Sequence, residues 1–188
     1  INELAIKYNA KILTTEKDYL RLKNLPHKNI EHIKVLLKIT DVNKLKKILD
    51  IKIEQPIVIF TQHSVTTEYS QVKKQLIPSL DALIKAANNG CQIIITYPNN
   101  DVGGEVIKEC LQKNQIKKNL NIKVVKSLGR YNYHGILALA QNKSNSIVCV
   151  GNSSSGIKET PFFGCPTVNI GSRQQGRLRA KNVKIGRA

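Results

Sequence analysis

Three serines in a row, Ser153, Ser154 and Ser155, are followed by Gly156 in the stretch GNSSSGIKETPFFG, where the apolar run SIVCV ends and a helix begins. Small hydroxyls and a glycine at a helix N-terminus suit a phosphate, because free backbone N–H groups and the positive end of the helix dipole converge there. The same serines suit an ordinary N-cap, and this stretch alone does not separate the two. Four other polar stretches carry residues able to bind or transfer protons: His63 in TQHSVTTE, Asn99 in YPNNDVGG, Ser127 and Gly129 in SLGRY, and Arg173 in NIGSR. Each also has a plainer explanation. His63 reads equally as a capped loop histidine, Asn99 as a turn residue, and Glu159 as an acid placed in a helix's first turn for its dipole.

The elements that would position these residues follow from the apolar pattern. Short apolar runs at 57–61, 92–97, 122–125, 146–150 and 166–170 alternate with helix-period segments near 67–89, 103–113, 131–141 and 156–163. Strands in series with helical crossovers predict a parallel sheet covered by helices on both faces, an α/β class. All five polar stretches begin where a strand ends, so they share one edge of that sheet. Open parallel sheets bind ligands outside the carboxyl ends of their strands, and this placement favours a ligand at the serine turn.

Residues 1–54 read as a separate segment: a helix, a strand KILTT, a helix opened by the capping box TTEKD with Thr15 as cap and Asp18 at its third position, a strand IKVLL, and a helix DVNKLKKILD. Residues 55–188 form the second segment. The absence of methionine leads us to expect a chain incomplete at its N-terminus.

Composition narrows the function classes. Hydrophobic residues make up 41%, enough for a core, and no apolar run approaches the roughly 20 residues of a membrane span. Without a signal-peptide pattern, the expected location is the cytoplasm. The net charge of +17 suits polyanions, nucleotides and acidic membrane surfaces, and six bases crowd after Gly171. Aromatics are only 5%, and no finger, helix-turn-helix or RNP pattern is present, so specific nucleic-acid readout has no visible basis. Four scattered cysteines read as reduced thiols, and four scattered histidines leave no metal-ligand spacing.

Taken together, PIVIFTQHSVTTE, TYPNNDVGG, SLGRY and GNSSSGIKETPFFGCPTVNIGSRQQGR resemble, in order, the C-terminal domain of the hydrolysing UDP-N-acetylglucosamine 2-epimerases of sialic-acid and related nonulosonic-acid synthesis. The resemblance covers about residues 55–188. It implies a Rossmann-like domain, one half of a fold like that of GT-B glycosyltransferases, with a UDP-sugar in the cleft between the halves. It further implies a partnering N-terminal epimerase domain outside this chain, a homodimer in the full-length family, and no metal or organic cofactor. By the same resemblance, His63 faces the sugar and diphosphate as acid and electrostatic stabiliser, and Asn99 contacts the sugar nucleotide. Ser153 and Ser154 bind the diphosphate, and Ser155 and Gly156 offer backbone N–H groups. Glu159 holds the ribose hydroxyls, Arg173 pairs with phosphate or sugar, and Ser127 and Gly129 lie near the uracil. Residues 1–50, through ILTTEKDYLRLK, resemble instead the C-terminal end of the tetraacyldisaccharide 4'-kinase of lipid A synthesis. The phosphate-binding loop such a kinase needs is absent from this sequence.

Overall fold

The computed structural model describes residues 2–15, 19, 30–33 and 41–186. It divides into two compact units, Ile1–Lys38 and Ile39–Ala188. The division falls before the 54/55 boundary read from the sequence, because the helix within DVNKLKKILD packs with the second unit. The described part of the first unit holds helix α1 (Asn2–Lys7) and strands β1 (Ile12–Thr15) and β2 (Ile30–Ile33), which pair in parallel. The helix expected from the TTEKD capping box and most of the IKVLL run lie outside the described residues.

The second unit opens with α2 (Val42–Leu49), whose N-cap Asp41 accepts a 2.8 Å bond from the Lys44 N–H. Asp41 thereby satisfies one of the donors that a helix start leaves free. The sheet follows, with strands β3 (Ile57–Thr61), β4 (Gln92–Thr96), β5 (Ile122–Val125), β6 (Ile147–Gly151), β7 (Thr167–Ile170) and β8 (Val183–Gly186). Every pairing is parallel and the order is β5-β4-β3-β6-β7-β8. Numbered from β3, this is 3-2-1-4-5-6, the doubly wound order of Rossmann folds.

β3 lies inside the sheet, and its residues Ile57 to Phe60 are all buried. A strand covered on both faces is continuously apolar because neither side meets water. On one face Val58, Phe60, Ile93 and Ile95 pack against α3 (Val72–Asn88), α4 (Gly104–Leu111) and α5 (Asn114–Lys117). The α3 contribution, Val72, Leu76, Leu80, Leu83 and Ala87, recurs every three or four residues, the spacing of one helix face. Fully burying each such Leu or Val contributes about 1.5–3 kcal/mol. α2 packs against α6 (Gly129–Leu139), where a Cβ on Gly135 would stand 3.1 Å from both Leu45 methyl carbons.

Three details differ from the sequence reading. The segment expected as one helix from residue 67 begins with a 3-10 turn, Thr66–Gln71, bent at Glu68. The helix expected over 156–163 is two pieces, α7 (Ser155–Lys158) and a 3-10 turn Thr160–Phe163, with Pro161 near the start of the second. Pro161 has no N–H to continue the α ladder. α5 and β8 were not anticipated.

Candidate functional site at the carboxyl edge of the sheet

The reversal of strand order between β3 and β6 opens a crevice outside their carboxyl ends, where doubly wound sheets place ligands. Asn152, just past β6, bridges that reversal. Its Oδ1 accepts from the His63 N–H at 2.7 Å and its Nδ2 donates to the His63 carbonyl at 2.8 Å. The Asn152 carbonyl in turn accepts from Gln174 Nε2 at 2.8 Å and Arg173 Nη1 at 3.3 Å. One buried amide thus ties the chain after β3, β6 and β7 into a single frame. An apolar side chain in its place would leave the His63 amide groups unpaired, at about 1–3 kcal/mol each.

Around this frame the structure brings together His63, Asn99 and Arg173. The Asn99 N–H donates to His63 Nδ1 at 3.0 Å. An amide N–H can only donate, so Nδ1 is the accepting nitrogen, and the neutral ring carries its proton on Nε2. Burial and the neighbouring Arg173 charge hold the His63 pKa below its ordinary value, against the opposing pull of Asp101. Asp101 accepts from the Asn99 side chain at 2.6 Å and stands 3.6 Å from Arg173. Glu68 braces the same edge, accepting from Gln75 Nε2 at 2.6 Å and from the Ser172 hydroxyl at 3.4 Å. Of the bases after Gly171, Arg173 is partly buried at this edge, whereas Arg177 and Arg179 are exposed.

The serine turn forms a second cluster. Ser154 occupies the cap position of α7 but makes no side-chain capping bond, whereas Ser153 Oγ accepts from the Ser155 N–H at 3.4 Å, so capping accounts for Ser153 and not for Ser154. The Ser155 hydroxyl donates to Ser153 Oγ at 3.0 Å and lies 2.9 Å from the Tyr133 hydroxyl. Beyond α7, Glu159 Oε2 meets His134 Nε2 at 2.7 Å. Gly156 is buried within α7. Ser127 and Gly129 follow β5 at the outer edge of the sheet and bond to each other, Gly129 N–H to Ser127 Oγ, at 3.1 Å. Among the described residues no hydrogen bond joins them to the other candidate residues. Their link is α6, which begins at Gly129 and carries Tyr133 and His134 to the serine turn.

Asn152, Gln174, Tyr133 and His134 are the participants that sequence reasoning missed. Asn152 lies within GNSSSG, and an amide next to a strand end was the available signal. Tyr133 and His134 gave none, because only the crossover of α6 brings them near residues 20 to 25 positions later. Among the described residues no group of three or more His, Cys, Asp or Glu could hold a metal, and no helix is long and apolar enough to cross a membrane. The four cysteines are free, and burial pushes the Cys149 thiol up to about 11.

With this geometry in hand, comparison with known proteins shows that residues 22–188 match the UDP-N-acetylglucosamine 2-epimerase family. The chain belongs to that family. This epimerase-family chain is 35% identical over 142 residues to a GDP/UDP-N,N'-diacetylbacillosamine 2-epimerase (hydrolyzing) of Campylobacter jejuni, covering 74% of this chain and 34% of that protein. It is 36% identical over 131 residues to a UDP-N,N'-diacetylbacillosamine 2-epimerase (hydrolyzing) of Legionella pneumophila, covering 69% and 32%. A UDP-N-acetylglucosamine 2-epimerase of Neisseria meningitidis is 34% identical over 121 residues, covering 64% and 29%. The chain therefore spans about a third of the length of these curated relatives. The family match begins inside the segment that resembles the 4'-kinase, and the kinase resemblance finds no support among these relatives.

Proposed function

We propose that this chain supplies the UDP-binding half of a hydrolysing UDP-sugar 2-epimerase acting on a 2-acetamido sugar. N-acetylglucosamine and its diacetamido relatives are the candidate sugars, and the 2-epimer would feed nonulosonic-acid synthesis. The reaction removes the C2 proton and breaks the C1–O bond, so that UDP departs with the bonding electron pair and a glycal remains. Water then adds back, a proton to C2 and hydroxide to C1, releasing UDP and the free 2-epimer.

The observation that carries this reading is the frame around Asn152, which gathers His63 and Arg173 at the strand-order reversal. In the proposal, Arg173 pairs with the diphosphate through charge-assisted bonds. His63, neutral and with its proton on Nε2, donates to the departing phosphate oxygen, where a fixed donor stabilises developing charge. The hydroxyls of Ser153 and Ser154 hold the diphosphate, the N–H groups of Ser155 and Gly156, which here donate to Ser153 Oγ at 3.4 Å and to the Ser153 carbonyl at 3.2 Å, exchange those partners for phosphate oxygens, and Glu159 accepts from the ribose hydroxyls. Asn99 turns its backbone to His63 and its side chain to Asp101, so its part in sugar contact is secondary to fixing the histidine.

Calorimetric titration with UDP tests the reading. Arg173→Ala should weaken binding by about 1.5–3 kcal/mol, roughly tenfold to a hundredfold, with a smaller loss for Ser154→Ala. Equal UDP affinity for the wild type and Arg173→Ala would remove Arg173 from the site.

A further inference from the structure

α6 leaves the outer strand β5 and returns beneath the serine turn, and its residue His134 reaches Glu159 with Nε2 2.7 Å from Oε2. The His134 side chain is 14% exposed, whereas that of Glu159 is 41% exposed. The histidine ring packs on Phe163, centroids 5.3 Å apart, and beside Tyr133 at 6.0 Å. A ring fixed by packing on two sides holds one direction of hydrogen bonding, while the carboxylate it meets still faces solvent. Only Oε2 of Glu159 has a partner among the described residues, which leaves Oε1 to accept from a ligand.

We infer that His134 is the positioning residue that aims the Glu159 carboxylate at the vicinal hydroxyls of a nucleotide ribose. The inference rests on the proposed function, in which Glu159 meets the ribose. It adds a residue that touches no ligand itself and acts through the carboxylate. A flexible glutamate loses side-chain entropy when a ligand orders it, about 1 kcal/mol or more, and a partner that orders it beforehand removes that cost from binding. The gain applies only to ligands that bond to the carboxylate. His134 therefore governs discrimination between a ribose and a sugar lacking both vicinal hydroxyls, rather than affinity for the diphosphate.

The test is calorimetric titration of the full chain with UDP and with 2',3'-dideoxy-UDP, for wild type, His134→Phe, His134→Gln and Glu159→Gln. Wild type is expected to prefer UDP. His134→Phe keeps an aromatic ring against Phe163 but has no donor; it should bind 2',3'-dideoxy-UDP as wild type does and lose about threefold to tenfold for UDP. His134→Gln, which restores a donor, should recover most of the preference, and Glu159→Gln should reduce it as His134→Phe does. If His134→Phe does not fold, the comparison of His134→Gln with His134→Leu decides the same point. A preference unchanged in a folded variant without the donor overturns the inference alone. Equal loss for both nucleotides shows a structural role and overturns it too. A wild type that binds UDP and 2',3'-dideoxy-UDP equally removes Glu159 from the ribose, and that part of the proposed function falls with the inference. If neither nucleotide binds, both fall.

Discussion

His63 is held at three points: its backbone N–H and carbonyl by Asn152, and its Nδ1 by the Asn99 N–H. The charged ring would have to keep a proton on Nδ1 and lose that last bond, or shed the proton again. Burial and Arg173 lower its pKa, while Asp101 and, less strongly, hydrogen bonding with Asn99 oppose them. A base whose proton affinity is lowered on folding binds fewer protons in the folded chain than in the unfolded one. Its contribution to stability is complete above its ordinary pKa near 6.5 and is lost as pH falls through the window down to the lowered value. Acidifying from about pH 7.5 to about pH 5.5 should therefore lower the melting temperature more in the wild type than in His63→Asn, whose side-chain oxygen can still accept from Asn99. An equal drop in the two proteins, measured by differential scanning fluorimetry, would show that the ring titrates freely.

At the level of elements, the crevice depends on β3 and β6 running side by side with Thr61 opposite Gly151. A Cβ on Gly151 would fall 1.9 Å from the Thr61 carbonyl oxygen, and its φ of 132° lies where side chains are strained. Strain and overpacking each cost about 1–3 kcal/mol, so Gly151→Ala should lose about 2–5 kcal/mol of unfolding free energy in urea. A loss below about 0.5 kcal/mol would mean that the strands part easily at this point. This glycine also shows what could be read from the chain alone. Its apolar approach, SIVCV, marked a strand, as did IVIFT and QIIIT, because strands covered on both faces are apolar throughout, whereas β5 and β7, with one and two buried residues, were legible only as short apolar runs set between helix-period segments. β8 escaped notice because its residues are only partly buried, so VKIG carries little of that signal. The serine turn was legible as a stretch of unusual composition, whereas its partners on α6 were not, since sequence spacing says nothing about which helix crosses behind it. Likewise the bend at Glu68 follows from tertiary bonds to Gln75 and Ser172, which local pattern does not encode.

For the molecule as a whole, the question is whether these 188 residues contain every group the proposed elimination needs. In the proposed function, departure of UDP is assisted by Arg173 and by the Nε2 proton of His63. Removal of the C2 proton is the harder step, since that carbon acid is weak and the base must sit within hydrogen-bond reach of it. Among the described residues, Glu68, Asp101 and Glu159 stand at the carboxyl edge of the sheet, and each is already engaged: Glu68 by Gln75 and Ser172, Asp101 by Asn99 and Arg173, Glu159 by His134. A carboxylate held by donors must break those bonds to turn towards the C2 proton. We therefore expect the purified 188-residue chain to bind UDP but to release neither UDP nor a free 2-epimer from UDP-N-acetylglucosamine. Chromatographic detection of both products over long incubations checks this, with His63→Ala as the control. Product formation that His63→Ala abolishes would place the base within this chain. Glu68→Gln would then be the first variant to make, because Glu68 lies five positions beyond His63 at the same strand end and, among the described residues, has no cation as its partner.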